Sequence, residues 1–267
     1  MTMLIISSQV NTVAAQNKQI SIRSEAAVVL DSDTGAVLYA KNPEERLYPA
    51  SLTKIATAIY AIEKGDLNDI VTISGNAANQ IGTRVYLNKG EQVSLKRLLQ
   101  GMLINSGNDA AVAVAEYLDG NVERFAQNLN NYLLNKIGVK NTHFTNPNGL
   151  FNPHHYTTAM DLAIITNYAL KNPTFSEIFG TKELNWEGKA WKTTLFTRHL
   201  MLKGVIPYPG ITGGKTGFVE ESKSTLATTA DNGKIKLTAI ALKAANKKTI
   251  YEDTEKLLDY SFNQLDN

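Results

Sequence analysis

Strand-like runs lie at the two ends of this chain, and helical periodicities fill its middle. Glu25–Leu30 and Ala36–Tyr39 are β-rich runs joined by Asp31-Ser-Asp-Thr-Gly35, whose turn chemistry predicts a hairpin. Ser224–Thr229 and Lys234–Leu242 flank Asp231-Asn-Gly233 and predict a second one. Thr254–Phe262 then reads as a closing helix with Leu257, Leu258 and Phe262 inward. Sheet segments at both ends and helices between them point to one antiparallel sheet built from both chain ends. That sheet would be flanked by helices and would carry an inserted all-helical subdomain, an α/β architecture of the α+β kind.

The middle supplies the helices. Ile55, Ile59 and Ile62 recur at helical spacing before Gly65. Ser94 is placed to cap a helix carrying Leu95, Leu98, Leu99 and Met102. A second helix runs over Ala110–Leu118 and stops at Gly120, and a third carries Phe125, Leu129 and Leu133 before Gly138. Thr158-Ala-Met-Asp161 opens a further helix, with Asp161 expected to reach back in a capping box. Val71–Ile73 and Arg84–Leu87 read as short strands, and Thr142–Tyr156, rich in Asn and Pro, as an ordered loop.

Composition narrows the function classes. At 267 residues and 43% apolar, the chain can bury a large core. The absence of Cys removes disulfides, thiolate metal sites and a Cys nucleophile together. A net charge of +2 with no basic run sets nucleic acid aside, and no apolar stretch is long enough for a membrane span. Residues 1–17 hold no Lys or Arg, and Ala14-Ala-Gln16 resembles the small-residue end of an export signal. Residues 1–22 are therefore expected to be a signal remnant or disordered leader. Residues 23–267 are expected to form one composite catalytic domain, its helical part roughly 66–175, with no C-terminal β-domain and no membrane anchor.

Three short motifs carry chemistry. Ser51-Leu-Thr-Lys54 opens the first helix, and residues three apart share a helix face, so the Lys54 amine can sit beside the Ser51 hydroxyl. Unpaired N–H groups at a helix N-terminus suit a nucleophile whose attack builds negative charge, and a desolvated Lys can serve as its base. Taken alone, the pair reads equally as a surface cap and a solvated Lys. Ser106-Gly-Asn108 interrupts two helical patterns, where a hydroxyl can relay a proton and an amide can hold a carbonyl. Ser74-Gly-Asn76 has the same letters but follows a strand pattern and reads as turn punctuation. Lys215-Thr-Gly217, preceded by Gly213-Gly214 and followed by Phe218, offers a cation and a hydroxyl to a carboxylate and lets an extended peptide approach closely. Its plainer reading is a Gly-rich turn before a strand. The four His show no ligand spacing, so structural roles are expected for them, with no metal and no cofactor.

The ordered set Ser-x-x-Lys, Ser-x-Asn, Lys-Thr-Gly is shared by penicillin-binding proteins and class A β-lactamases. With Tyr48-Pro-Ala-Ser51, Asn146-Pro-Asn-Gly-Leu150 and Thr158-Ala-Met-Asp161, it makes the chain, from about Glu25 to Phe262, resemble the serine D-Ala-D-Ala carboxypeptidases. These are the low-molecular-mass penicillin-binding proteins of the β-lactamase/transpeptidase-like superfamily. The resemblance implies that Ser51 attacks the penultimate D-Ala carbonyl, Lys54 takes its proton, and Ser106 with Lys215 returns a proton to the leaving amine. It implies that Asn108 binds the peptide amide and that Thr216 and Lys215 hold the terminal carboxylate beside Gly217. The oxyanion hole would be formed by the N–H groups of Ser51 and Phe218. The implied partners are a peptidoglycan stem peptide ending in D-Ala-D-Ala and β-lactam antibiotics as covalent inhibitors, outside the cytoplasm. DD-endopeptidase action and a non-catalytic penicillin-sensing domain are the alternatives. A class A β-lactamase would need a Glu that the Asn141–Asn148 stretch lacks. Some relatives bind the carboxylate with an Arg where this chain reads Lys243-Ala-Ala-Asn-Lys-Lys248, which leaves Lys247 or Lys248 as a weaker substitute.

Overall fold

The computed structural model describes residues 20–265. The expected leader lies outside the described residues except for Ile20, Ser21 and Ile22. Strands β1 (Ala26–Asp31) and β2 (Val37–Lys41) form the first hairpin. β7 (Ile211–Val219), β8 (Lys223–Asp231) and β9 (Lys236–Ala244) form a meander at the other end. They join as one antiparallel sheet in the order β2-β1-β9-β8-β7, sealed where β1 pairs with β9 from Ala26↔Leu242 to Asp31↔Leu237. The sheet from both chain ends is therefore present.

Both faces of the central strands are buried, which is why β1 reads as a continuous apolar run rather than an alternating one. Ala26, Val28 and Leu30 face one core, together with Ile55 and Ile59 of α1 (Thr53–Lys64) and Leu162 and Ile165 of α6 (Ala159–Leu170). Ala27 and Val29 face the other, with Ile250, Leu257 and Leu258 of α9 (Lys247–Leu265). This is the strand period of two acting on a sheet covered on both sides. Each such fully buried Leu or Ile stabilises the fold by about 1.5–3 kcal/mol relative to exposure.

Between the two sheet halves lie β3 (Ile70–Thr72), α2 (Gly75–Ala78), β4 (Gln92–Ser94), α3 (Leu95–Ile104), α4 (Asn108–Asp119) and α5 (Val122–Tyr132). The insert is thus helical around a two-stranded β3–β4 ribbon. Ser94 Oγ accepts from Arg97 N at 3.3 Å, as its capping position predicts. Past α5 the chain makes one π-helical turn, Leu133–Ile137, and stops at Gly138 with φ 90°. Two further segments escape the periodicity reading. α7 (Pro173–Phe179) opens on Asn172, whose side chain caps Thr174 N and Phe175 N. β5 (Glu183–Glu187) and β6 (Lys192–Phe196) form a hairpin that inserts Trp186 over Gly101 of α3. Only Trp186 and Leu195 of that hairpin are fully buried, too few to show against its charged residues. The four-residue α8 (Leu200–Lys203) links it to β7.

Two local expectations are corrected. Arg84–Leu87 forms no strand, because its amides have a different acceptor. Val85 N reaches the buried Asp109 carboxylate at 3.0 and 3.1 Å, and Leu87 N reaches it at 3.1 Å. The capping box at Thr158 is half formed. Thr158 Oγ1 accepts from Asp161 N at 3.0 Å, but the Asp161 carboxylate turns to Asn141 N and Thr142 Oγ1, both at 2.8 Å. Asp109 thus serves as the buried anchor of the 83–88 segment. Asp109→Ala leaves the two buried amides of that segment, Val85 N and Leu87 N, without an acceptor, at about 1–3 kcal/mol each. The urea midpoint should fall by the equivalent of roughly 2–6 kcal/mol with an unchanged m-value; an unchanged midpoint would refute the anchoring role.

Candidate active site

Four distant segments converge on one point. The chain enters α1 through a single 3₁₀ turn, Ala50–Leu52, with Ala50 held at φ 49°. This left-handed residue aims the next one, Ser51, at the cleft, and non-Gly residues in that region are uncommon. One turn on, Lys54 is fully buried. Its Nζ lies 3.0 Å from Ser51 Oγ, 2.8 Å from Asn108 Oδ1 and 2.6 Å from the Asn148 carbonyl. Asn108 opens α4, tied by its own N–H to Thr83 O and by Nδ2 to Ile81 O, both at 2.7 Å. Ser106 stands in the break before α4 at φ 67° and is buried. Lys215 of β7 donates to Ser106 Oγ and to Thr216 O, both at 2.9 Å.

β7 approaches so closely that only glycine fits at two positions. A Cβ on Gly217 would lie 2.4 Å from Thr225 Oγ1 and 2.9 Å from Pro49 O. A Cβ on Gly214 would lie 2.3 Å from the His199 ring. The strand thereby runs directly beside Ser51, with Thr216 and Phe218 lining the cleft around it. Thr225 Oγ1 donates to Pro49 O at 3.0 Å and fixes the sheet to the turn that carries Ser51.

The electrostatics follow from burial. Desolvation, reinforced by Lys215 and Arg198 and opposed by Asp109, holds Lys54 well below the ordinary lysine range. Desolvation and then Arg198 bring Lys215 down to about 7. Burial thus disfavours the charged form of both amines, the direction that general-base activation of a serine requires. The cleft above them is a cavity of about 550 Å³. Arg198, Lys203 and Lys247 line it, and no Asp or Glu does among the described residues, so the field favours an anionic ligand.

The structure brings Ser51, Lys54, Ser106, Asn108, Lys215, Thr216, Gly217 and Phe218 into one site. It places the lookalike Ser74 elsewhere: its Oγ caps α2 through Ala77 N at 2.9 Å and donates to Glu116 at 2.5 Å. Lys248 pairs with Glu252 at 3.7 Å, whereas Lys247 lines the cleft. His155 and His199 are buried and held at about 3 chiefly by desolvation, with Nε2 atoms 2.8 Å from Thr53 Oγ1 and Thr228 Oγ1. Sequence reasoning missed Arg198, a lone cation with no motif around it. It also missed Asn148, whose contribution is a backbone carbonyl. Among the described residues, no group of three or more His, Asp or Glu side chains is placed to hold a metal.

Comparisons with known proteins identify a family. Residues 11–246 match the family model described as D-alanyl-D-alanine carboxypeptidase. The chain is 36% identical over 258 residues to the D-alanyl-D-alanine carboxypeptidase DacF of Bacillus subtilis, covering 93% of this chain and 64% of that protein. It is 33% identical over 264 residues to DacA of Haemophilus influenzae, covering 90% and 62%. The chain thus spans less than two thirds of the length of these relatives. A D-alanyl-D-alanine carboxypeptidase structure from Mycobacterium tuberculosis superposes with TM-score 0.85 at 27% identity, covering 91% of this chain and 92% of that one. A mutant of the Streptomyces K15 DD-transpeptidase also gives 0.85 at 27%, covering 91% and 99%.

The depressed Lys215 has a measurable signature. Between about 7 and the ordinary value of 10.5 the folded state binds fewer protons at this site than the unfolded chain, so stability rises with pH across that window. A ¹³Cε NMR titration should show one lysine with a midpoint near 7, absent from Lys215→Met. A Lys215 resonance that titrates like the surface lysines would remove the desolvation argument.

Proposed function

The chain belongs to the D-alanyl-D-alanine carboxypeptidase family, and on that premise we propose that it is a serine carboxypeptidase removing the terminal D-Ala from peptides ending in D-Ala-D-Ala. The carrying observation is the Ser51 Oγ–Lys54 Nζ separation of 3.0 Å with a fully buried Lys54. The matching pair, Ser106 and Lys215, stands across the same cleft.

The reaction proceeds in two halves. Neutral Lys54 takes the Ser51 proton as Oγ attacks the penultimate carbonyl. The Ser51 and Phe218 N–H groups receive the oxyanion, a contribution of about 3–4 kcal/mol in comparable acyl-transfer sites. Asn108 holds the acyl-side amide. Thr216 and Lys215 engage the terminal carboxylate, helped by the positive charge of Arg198 and Lys247 at the cleft. The C–N bond breaks as Ser106, paired with Lys215, passes a proton to the leaving D-Ala amine. Water then cleaves the acyl-enzyme and restores Ser51. A β-lactam presents a similar carboxylate and carbonyl, so penicillins acylate Ser51 as well.

The substrate is the stem peptide of peptidoglycan, which places the enzyme outside the cytoplasm. Because Ser51 and Lys215 come from opposite halves of the chain, residues 23–267 act as one composite catalytic unit. Among the described residues, no helix is long and apolar enough to cross a membrane.

Ser51→Ala should abolish both D-Ala release from a pentapeptide, read by mass spectrometry, and covalent labelling by a fluorescent penicillin. Persistent labelling would overturn the choice of nucleophile. Lys54→Ala should slow acylation by on the order of a thousandfold, as for residues acting as a unit. Ser74→Ala should leave both activities nearly intact.

A further inference from the structure

The loop Asn146-Pro-Asn-Gly149 has no role in the chemistry above, yet it touches both halves of the nucleophilic pair. Its Asn148 carbonyl is 2.6 Å from Lys54 Nζ, the shortest of that amine's three polar contacts. Its Gly149 has φ 81°, and a Cβ there would fall 1.9 Å from Ala50 O and 3.0 Å from Ser51 N. The loop is therefore pressed against the backbone that aims Ser51. Asn146 braces it from within, accepting from Gly149 N at 2.7 Å and donating to Leu150 O at 2.9 Å. Thr57, one turn beyond Lys54 on α1, donates to Pro147 O at 2.8 Å. Two successive loop carbonyls thus dock on two successive turns of α1.

The number of acceptors decides what this docking does. A neutral primary amine has two N–H bonds and one lone pair. Lys54 faces two carbonyl oxygens, Asn108 Oδ1 and Asn148 O, and one hydroxyl, Ser51 Oγ. Carbonyl oxygens accept and cannot donate, so each takes one N–H. The lone pair is left with one polar neighbour, the Ser51 hydroxyl, which can donate to it. When the Ser51 O–H bond breaks and the third N–H bond forms, the ammonium has three donors for the same three oxygens. Neither state leaves a buried donor unsatisfied. With the Asn148 carbonyl withdrawn, one N–H of the neutral amine is free to turn onto Ser51 Oγ, and the lone pair then points away from the proton it must take.

We propose that the Asn146–Gly149 loop is a positioning device for the catalytic amine, its Asn148 carbonyl being the second of two acceptors that orient the Lys54 lone pair onto the Ser51 hydroxyl. This rests on the assignment of Ser51 and Lys54 as nucleophile and base. Thr57 and Asn146 act through the loop and touch no reacting atom themselves, so they are positioning residues.

The direction of a pH shift separates this role from loosened packing. The charged groups facing Lys54 are Lys215, Arg198 and Asp109, with His155 also close enough to feel its charge, and none lies on the loop. A carbonyl binds an ammonium more strongly than a neutral amine, so losing it lowers the Lys54 pKa. Loosened packing admits water, relieves the desolvation that dominates that pKa, and raises it.

The test is the acylation rate of the full chain with a fluorescent penicillin, as a function of pH, for wild type, Thr57→Val, Thr57→Ser and Asn146→Ala. Thr57→Val keeps the shape and removes the donor to Pro147. It should acylate roughly tenfold more slowly at its plateau, with the acidic limb displaced to lower pH, and Thr57→Ser should restore both. Asn146→Ala should behave like Thr57→Val and carries the same test if Thr57→Val does not fold. An acidic limb that moves to higher pH, or a rate within twofold of wild type with an unmoved limb, overturns the proposal. A wild type that is not acylated at Ser51 overturns the underlying assignment instead.

Discussion

Two lysine amines stripped of water govern this site. Lys54 and Lys215 are both buried, yet among the described residues neither forms an ion pair with a carboxylate. A buried charge without a counter-charge is costly, and the usual outcome is a shift of pKa rather than a standing charge. The nearest anion, Asp109, attracts Lys54 from a distance, but its oxygens are committed to the amides of Val85, Leu87 and Ala110. The fold therefore supplies neutral acceptors around each amine, so each is desolvated and oriented while its charged form is disfavoured.

Holding such a site requires backbone that an unconstrained chain would avoid. Ala50 and Ser106 are non-glycine residues in the left-handed region, one beside the nucleophile and one within the second motif. Such positions cost energy and persist where the surroundings over-determine them. The surroundings here are Gly217 and Gly149, which press on the Pro49–Ser51 backbone from two directions. β7 brings the first, held by its pairing with β8, whose Thr225 donates to Pro49 O. The sheet topology and the site geometry are linked: β1 and β2 lead to the turn that carries Ser51, and the pairing of β1 with β9 joins that part of the chain to the β7–β9 meander that carries Lys215.

Much of this fold is legible in the sequence, for a physical reason that also marks its limit. Apolar strand runs and helix-period patterns survive where one element buries many apolar residues, as in β1, β9, α3 and α4. The β5–β6 hairpin fully buries one large side chain per strand, Trp186 and Leu195, and leaves no period to read. Arg84–Leu87 looks like a strand because Val, Tyr and Leu favour extended backbone, but a side-chain carboxylate satisfies two of its amides. Propensity registers that a segment is extended; it does not register what the segment bonds to.

The same distinction explains which parts of the site are readable. In the proposed mechanism Ser51, Lys54, Ser106, Asn108, Lys215 and Thr216 act through side chains, so their identities matter and their spacing forms motifs. Asn148 acts through a carbonyl that every residue possesses. Its side chain has separate work, which is to shape the loop that puts the carbonyl in place. It accepts from Leu150 N at 3.0 Å and donates to Gln80 Oε1 at 3.3 Å. Asn146 and Gly149 are likewise choices about loop shape. A backbone atom at an active site is therefore visible in sequence only indirectly, as turn chemistry whose purpose appears once its carbonyl is seen 2.6 Å from an amine.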